Sequence, residues 1–142
     1  MTTTARDEGA QSSRPSTRRL VRTGAVAGAI AAACTTVAAA VATAADVGLE
    51  VDGTAIPIPA FAWWTIVTAA VGVVLARVLG GRRRFVVVTT VATGLSLVPA
   101  IAGPDDTASR VVLVGIHLLA AAVIIPTLAR QLPHSTTSAP GG

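Results

Sequence analysis

The chain has 142 residues, of which 52% are hydrophobic and 13% charged, whereas a soluble domain carries about a quarter charged residues; lipid is therefore the expected solvent. The net charge of +4 rests on arginines that flank apolar runs, with no aromatic-lined basic face, so nucleic acid is not an expected partner. Cys34 is the single cysteine, which excludes an internal disulfide, a CxxC redox centre and a multi-cysteine zinc site.

Residues 1–19, MTTTARDEGAQSSRPSTRR, are polar and rich in Ser, Thr and Arg, and are expected to be disordered and cytoplasmic. The first apolar run follows, over about residues 23–45. A competing reading makes it a secretory signal: TRRLVR, Thr17 to Arg22, has a twin-arginine look, and ATA at Ala42–Ala44 could be a cleavage site. The run is longer than the usual signal core of about 7–15 residues, which favours a retained helix. GAVAG, Gly24 to Gly28, is a GxxxG pattern that could bring a second copy or another membrane protein close.

DVGLEVDGTAIPIPA, Asp46 to Ala60, connects the first span to the second. Val47, Leu49 and Val51 alternate, Asp52-Gly53 follows, and Ile56 and Ile58 alternate again. Asp-Gly between alternating apolar residues predicts a two-residue hairpin. Pairing Val51 with Thr54 places Leu49 opposite Ile56 and Val47 opposite Ile58. Pro57 and Pro59 then fall where no ladder N–H is needed. The apolar face of this short hairpin is expected to rest on the mouth of the bundle.

Three further apolar runs cover about residues 61–79, 85–102 and 111–128. Each is long enough as a helix to match a hydrocarbon core of about 30 Å, and inside lipid only helices satisfy their own backbone. Pro99 and Pro126 are expected to kink or end the third and fourth helices. Residues 133–142, including His134, read as a disordered, solvated tail.

Charge sets the orientation. Arg6, Arg14, Arg18, Arg19 and Arg22 precede the first span, Arg77, Arg82, Arg83 and Arg84 surround the turn between the second and third, and Arg130 follows the fourth. The other two connections carry Asp46, Glu50, Asp52, Asp105 and Asp106, with Arg110 the sole basic residue there. By the positive-inside rule both termini are cytoplasmic and both acidic loops, including the hairpin, extracytoplasmic. Trp63 and Trp64 then lie at the outer interface, as indole rings prefer. The fold class is an all-α membrane protein, a bundle of four transmembrane helices with one extracytoplasmic β-hairpin, and the bilayer is its first partner.

His117 is an ionisable residue deep inside a span, and such a residue is by default a site candidate. Counting depth along antiparallel helices puts Ser96, Thr68 and Thr36 at its level, so the four form a candidate intramembrane polar layer. The expectation is an uncharged imidazole bonded to a hydroxyl of a neighbouring helix, Ser96 first and Thr68 next. No carboxylate lies within a span, so a His–Asp relay, a metal site and the carboxylate of small multidrug transporters all lack their second member. No catalytic, metal or cofactor-binding residues are assigned.

The acidic loop with IPIP, the turn GRRRF and the closing HLLAAAVIIPTLARQL resemble a family of small actinobacterial four-helix integral membrane proteins of unknown function. The resemblance covers roughly Arg18 to Leu132, is most specific in the pairing of His117 with Pro126, and implies architecture alone. Two functions compete: a non-enzymatic structural or accessory component of the cell envelope, and a small transporter or channel component with its polar path at His117.

Overall fold

The computed structural model describes residues 16–133; the expectations for residues 1–15 and for the tail with His134 lie outside them. Four helices follow in order, α1 (Thr17–Ala44), α2 (Ile58–Leu79), α3 (Arg82–Ala102) and α4 (Thr107–Ala129), with strands β1 (Glu50–Val51) and β2 (Thr54–Ala55) between the first two. All four are long and apolar enough to cross a membrane, and the chain is a multi-pass membrane protein. Large apolar side chains such as Val37, Val78, Leu95 and Val111 point outward on every helix. That surface has no place in water and suits contact with acyl chains.

Each helix begins before its apolar run, and at α1 and α4 a capping side chain, not hydropathy, sets the start. Ser16 accepts from the Arg19 N–H at the head of α1, and Asp106 accepts from the Ser109 N–H at the head of α4. Pro57 precedes α2, with Pro59 in the first turn, where a missing N–H costs nothing. Between α2 and α3 the chain turns in two glycines, and Gly80 takes the left-handed conformation (φ 62°) that ends α2. Pro99 and Pro126 do not interrupt their helices. Each lies in the last turn, and its carbonyl accepts the bond that closes the helix, from Gly103 N–H (2.9 Å) and Arg130 N–H (3.1 Å).

The helices alternate in direction. At one end Arg77 Nε donates to Thr17 Oγ1 (3.1 Å) and the Arg82 N–H donates to the Pro133 carbonyl (3.2 Å). This is the arginine-rich end. The acidic loops meet at the other. α1 packs most closely on α2 and α4, and α3 leans on α4 while touching α2 sparsely. Two apolar clusters hold the ends together. Leu20, Phe85, Ile124 and Leu128 fill the arginine end, and Ala39, Leu49, Phe61, Leu113 and Ile116 fill the acidic end.

Gly24 and Gly28 are both buried on α1. A Cβ on Gly28 would stand 2.8 Å from that of Ala69, and one on Gly24 would collide with Val73. The GxxxG pattern therefore serves the α1–α2 contact inside the chain, because both glycines are covered, and it is not a free face for a second copy.

The hairpin forms in the expected register, Val51 with Thr54 and Glu50 with Ala55. Asp52 and Gly53 both have positive φ, 52° and 70°, as a type I′ turn requires. The Ile56 N–H still reaches the Leu49 carbonyl (3.0 Å), but the ladder ends there. Leu49 adopts φ 47°, which turns its side chain into the bundle, where it is 1% exposed. The expected Val47–Ile58 pair is absent because Ile58 already belongs to α2. Val47, Val51 and Ile56 pack with Leu49 on the acidic-end cluster, so the apolar face does rest on the bundle mouth.

Candidate functional site

The sparse contact between α2 and α3 leaves a cleft of about 910 Å³ walled by α2, α3 and α4. Its apolar lining includes Phe61, Val71, Phe85, Ile116 and Ile124, and Val51, Ile56 and Pro99 cover its acidic end. The polar groups on its wall come from three helices. Thr65 and Thr68 are one turn apart on α2, Thr89, Thr93 and Ser96 follow one face of α3, and His117 projects from α4. Of the expected layer, Thr68, Ser96 and His117 line this cleft. Thr36 does not. Its hydroxyl is buried on α1 with no hydrogen-bond partner.

The expected bonding within the layer is wrong. His117 Nδ1 lies 2.9 Å from the carbonyl of Leu113, one turn earlier on its own helix. A carbonyl can only accept, so Nδ1 carries the proton and donates. Ser96 donates to the Thr93 carbonyl and Thr68 to the Trp64 carbonyl, each at 2.8 Å. The hydroxyls find acceptors within their own helices, as Ser and Thr in apolar helices commonly do, and none bridges to the imidazole. The same holds along the cleft. Thr65 donates to Phe61 O (2.7 Å), Thr89 to Phe85 O (2.7 Å) and Thr93 to Thr89 O (2.8 Å).

A buried hydroxyl pair does cross between helices, but it joins α1 to α2 and leaves out the imidazole. Thr35 Oγ1 and Thr65 Oγ1 are 3.1 Å apart, both buried between α1 and α2. Each hydroxyl also donates to a carbonyl of its own helix, Thr65 to Phe61 O (2.7 Å) and Thr35 to Ala32 O (3.1 Å), so one of the two protons is shared across the interface. Depth along the helix pointed near this pair, but it could not distinguish Thr35 from Thr36. Adjacent residues differ by about 100° around a helix, and a helix that is apolar on every side gives no signal of which side faces a neighbour.

Above the cleft the two acidic-end loops are joined. The Gly53 N–H donates to Asp105 Oδ2 (2.9 Å), and Val51 forms an isolated antiparallel bridge with Pro104. Arg110 Nη2 reaches the Pro104 carbonyl at 3.5 Å. These bonds fix the hairpin over the cleft mouth. Charge placement in the sequence identified Asp105 as a loop residue, and nothing local marked it as the partner of a turn more than fifty positions earlier. Beside it, Asp106 is held below the ordinary carboxylate range, first by the Ser109 hydroxyl and then by the Ser109 N–H, with smaller help from the Ala108 N–H and the Arg110 charge. The hydroxyl acts through its dipole at loose geometry, since Ser109 Oγ makes no formal hydrogen bond.

Among the described residues no three His, Cys, Asp or Glu side chains converge as a metal site, and Cys34 is exposed on the outer side of α1. The cleft's one titratable side chain is His117. The arrangement can hold a largely apolar molecule and accept hydrogen bonds from it on three sides.

No curated protein and no solved structure matches this chain significantly. A family model matches residues 15–134, which takes in all four helices and the hairpin. The chain belongs to that family, DUF6069, a family of unknown function.

Proposed function

We infer that the protein is a non-enzymatic accessory component of a bacterial cell membrane, of actinobacterial type, with both termini cytoplasmic and the hairpin outside. The observation that carries the reading is the make-up of the cleft. Its polar groups are helix-bonded hydroxyls and a single imidazole, with no acid–base pair, thiol or carboxylate on its wall among the described residues. Such a surface can bind but has no second group to move a proton or form a covalent intermediate. Cytoplasmic termini are supported by the arginines gathered at one end of the bundle. Arg82, Arg83 and Arg84 occupy the first turn of α3, where cations oppose the helix dipole, so topology explains them better than helix stability does. The bacterial source is supported by the use of arginine for all eleven basic residues and by the Ala and Val content.

The test is native mass spectrometry of the protein released from its own membrane. The accessory reading expects a complex of fixed stoichiometry with another membrane protein. A lone homodimer that drives pH-dependent solute flux in liposomes would replace it with the transporter reading, for which the His117-lined cleft is the supporting observation.

A further inference from the structure

Every hydroxyl on the cleft wall has already spent its proton on a carbonyl of its own helix, and the imidazole N–H has done the same. What these groups still present is lone pairs. Thr68 and Ser96 face the cleft with acceptor oxygens, Thr89 and Thr93 do so lower on α3, and His117 offers Nε2, which has no hydrogen-bond partner among the described residues. The remaining side-chain donor is the indole N–H of Trp64, on a ring that is 65% exposed and so at the rim. A cleft of about 910 Å³, within the size range of ligand sites, is therefore apolar in body and acceptor in polarity.

We propose that this cleft binds a neutral, hydroxyl-bearing amphiphile, with hydrocarbon along Val71, Phe85 and Ile124 and its O–H donated to His117 Nε2. Hydrogen-bond bookkeeping selects the ligand. An alcohol gains a bond without breaking one. A ketone, ether or ester must first pull a proton away from a helix carbonyl, and the exchange yields no net bond. A carboxylate or phosphate meets lone pairs and is repelled. A protonated amine could donate, but it would bring a charge into a cleft without a carboxylate on its wall. The inference goes beyond the accessory reading and stands whether the chain acts alone or in a complex.

The probe is a dibrominated stearyl alcohol set against its own methyl ether, in phosphatidylcholine nanodiscs carrying the full chain with Trp63→Phe. Trp64 then reports alone, and it lines the cleft. The alcohol is expected to quench with saturation at about five- to ten-fold lower mole fraction than the ether, the worth of one net hydrogen bond. His117→Leu should bring the two to the same curve, and His117→Gln, which keeps an acceptor, should restore most of the difference. Equal, non-saturating quenching by alcohol and ether in the unsubstituted cleft would mean that bilayer chains alone fill it, and would overturn the proposal without reference to any variant. Tighter binding of the matching dibrominated amine than of the alcohol would overturn the neutral class.

Discussion

At His117 the controlling fact is that one ring nitrogen is tied to the Leu113 carbonyl, which already accepts the ordinary helix bond. Replacing the ring therefore strands no buried partner. His117→Leu is expected to cost less than about 1 kcal/mol of stability, measured by reversible unfolding in mixed micelles; a loss of several kcal/mol would mean that the ring bridges helices after all. Thr35 and Thr65 should behave differently, because their contact crosses between α1 and α2. A double-mutant cycle with Thr35→Val and Thr65→Val is expected to give a coupling near 0.6 kcal/mol, about the average for interhelical bonds in membranes. The same cycle with Thr36 in place of Thr35 should give none. Outside the spans, Asp106 caps α4 with a carboxylate held below its ordinary range. Its folded-state value lies below its unfolded one, so its contribution is complete above the ordinary carboxylate range and is lost as pH falls through the folded value. Asp106→Ser, which keeps a capping oxygen without the charge, should remove that part of the acid sensitivity seen in thermal melts; an unchanged acid limb would show that the cap does not contribute to it.

The elements show where sequence reading succeeds and where it stops. Four apolar runs became four helices because length and hydropathy suffice in lipid. Their starts were not legible, since α1 and α4 begin at caps, Ser16 and Asp106, that precede the apolar residues. The Asp-Gly turn was legible because few residue pairs accept two positive φ values in succession. The end of the ladder was not, since it depends on Leu49 turning into a pocket formed by Phe61 and Leu113 from distant helices. Likewise His117, Ser96 and Thr68 were placed at one depth by counting, while their hydrogen bonds depended on azimuth and on the nearest carbonyl. Gly53→Val tests the turn: a β-branched residue at φ 70° should cost roughly 1–2 kcal/mol and speed amide exchange at Ile56. Unchanged exchange would contradict the hairpin's role. Gly28→Val tests the α1–α2 contact. With the Ala69 Cβ so close, overpacking should cost about 1–3 kcal/mol in the same unfolding assay, and a neutral result would mean that the two helices are not in close contact.

For the whole molecule, the packing of α1 and the orientation of the bundle go together. α1 contributes Leu20, Ala31 and Ala39 to the two clusters that hold the helices. Removing it at Ala44 would bare the faces of α2 and α4 that it covers. The protein isolated from membranes is therefore expected to begin upstream of Thr17 on N-terminal sequencing, and a start at Ala45 would revive the signal-peptide reading. The central claim is a bundle that crosses the bilayer four times, with its arginine-rich end in the cytoplasm and its hairpin outside. Single cysteines at Thr54, Thr107 and Ser12, in a Cys34→Ala background, test it directly with a membrane-impermeant maleimide on intact cells. Thr54 and Thr107, in or next to the acidic-end loops, should label from outside, and Ser12 should label only after lysis. Labelling of Ser12 in intact cells, with Thr54 and Thr107 protected, would contradict the orientation and with it the functional account built on it.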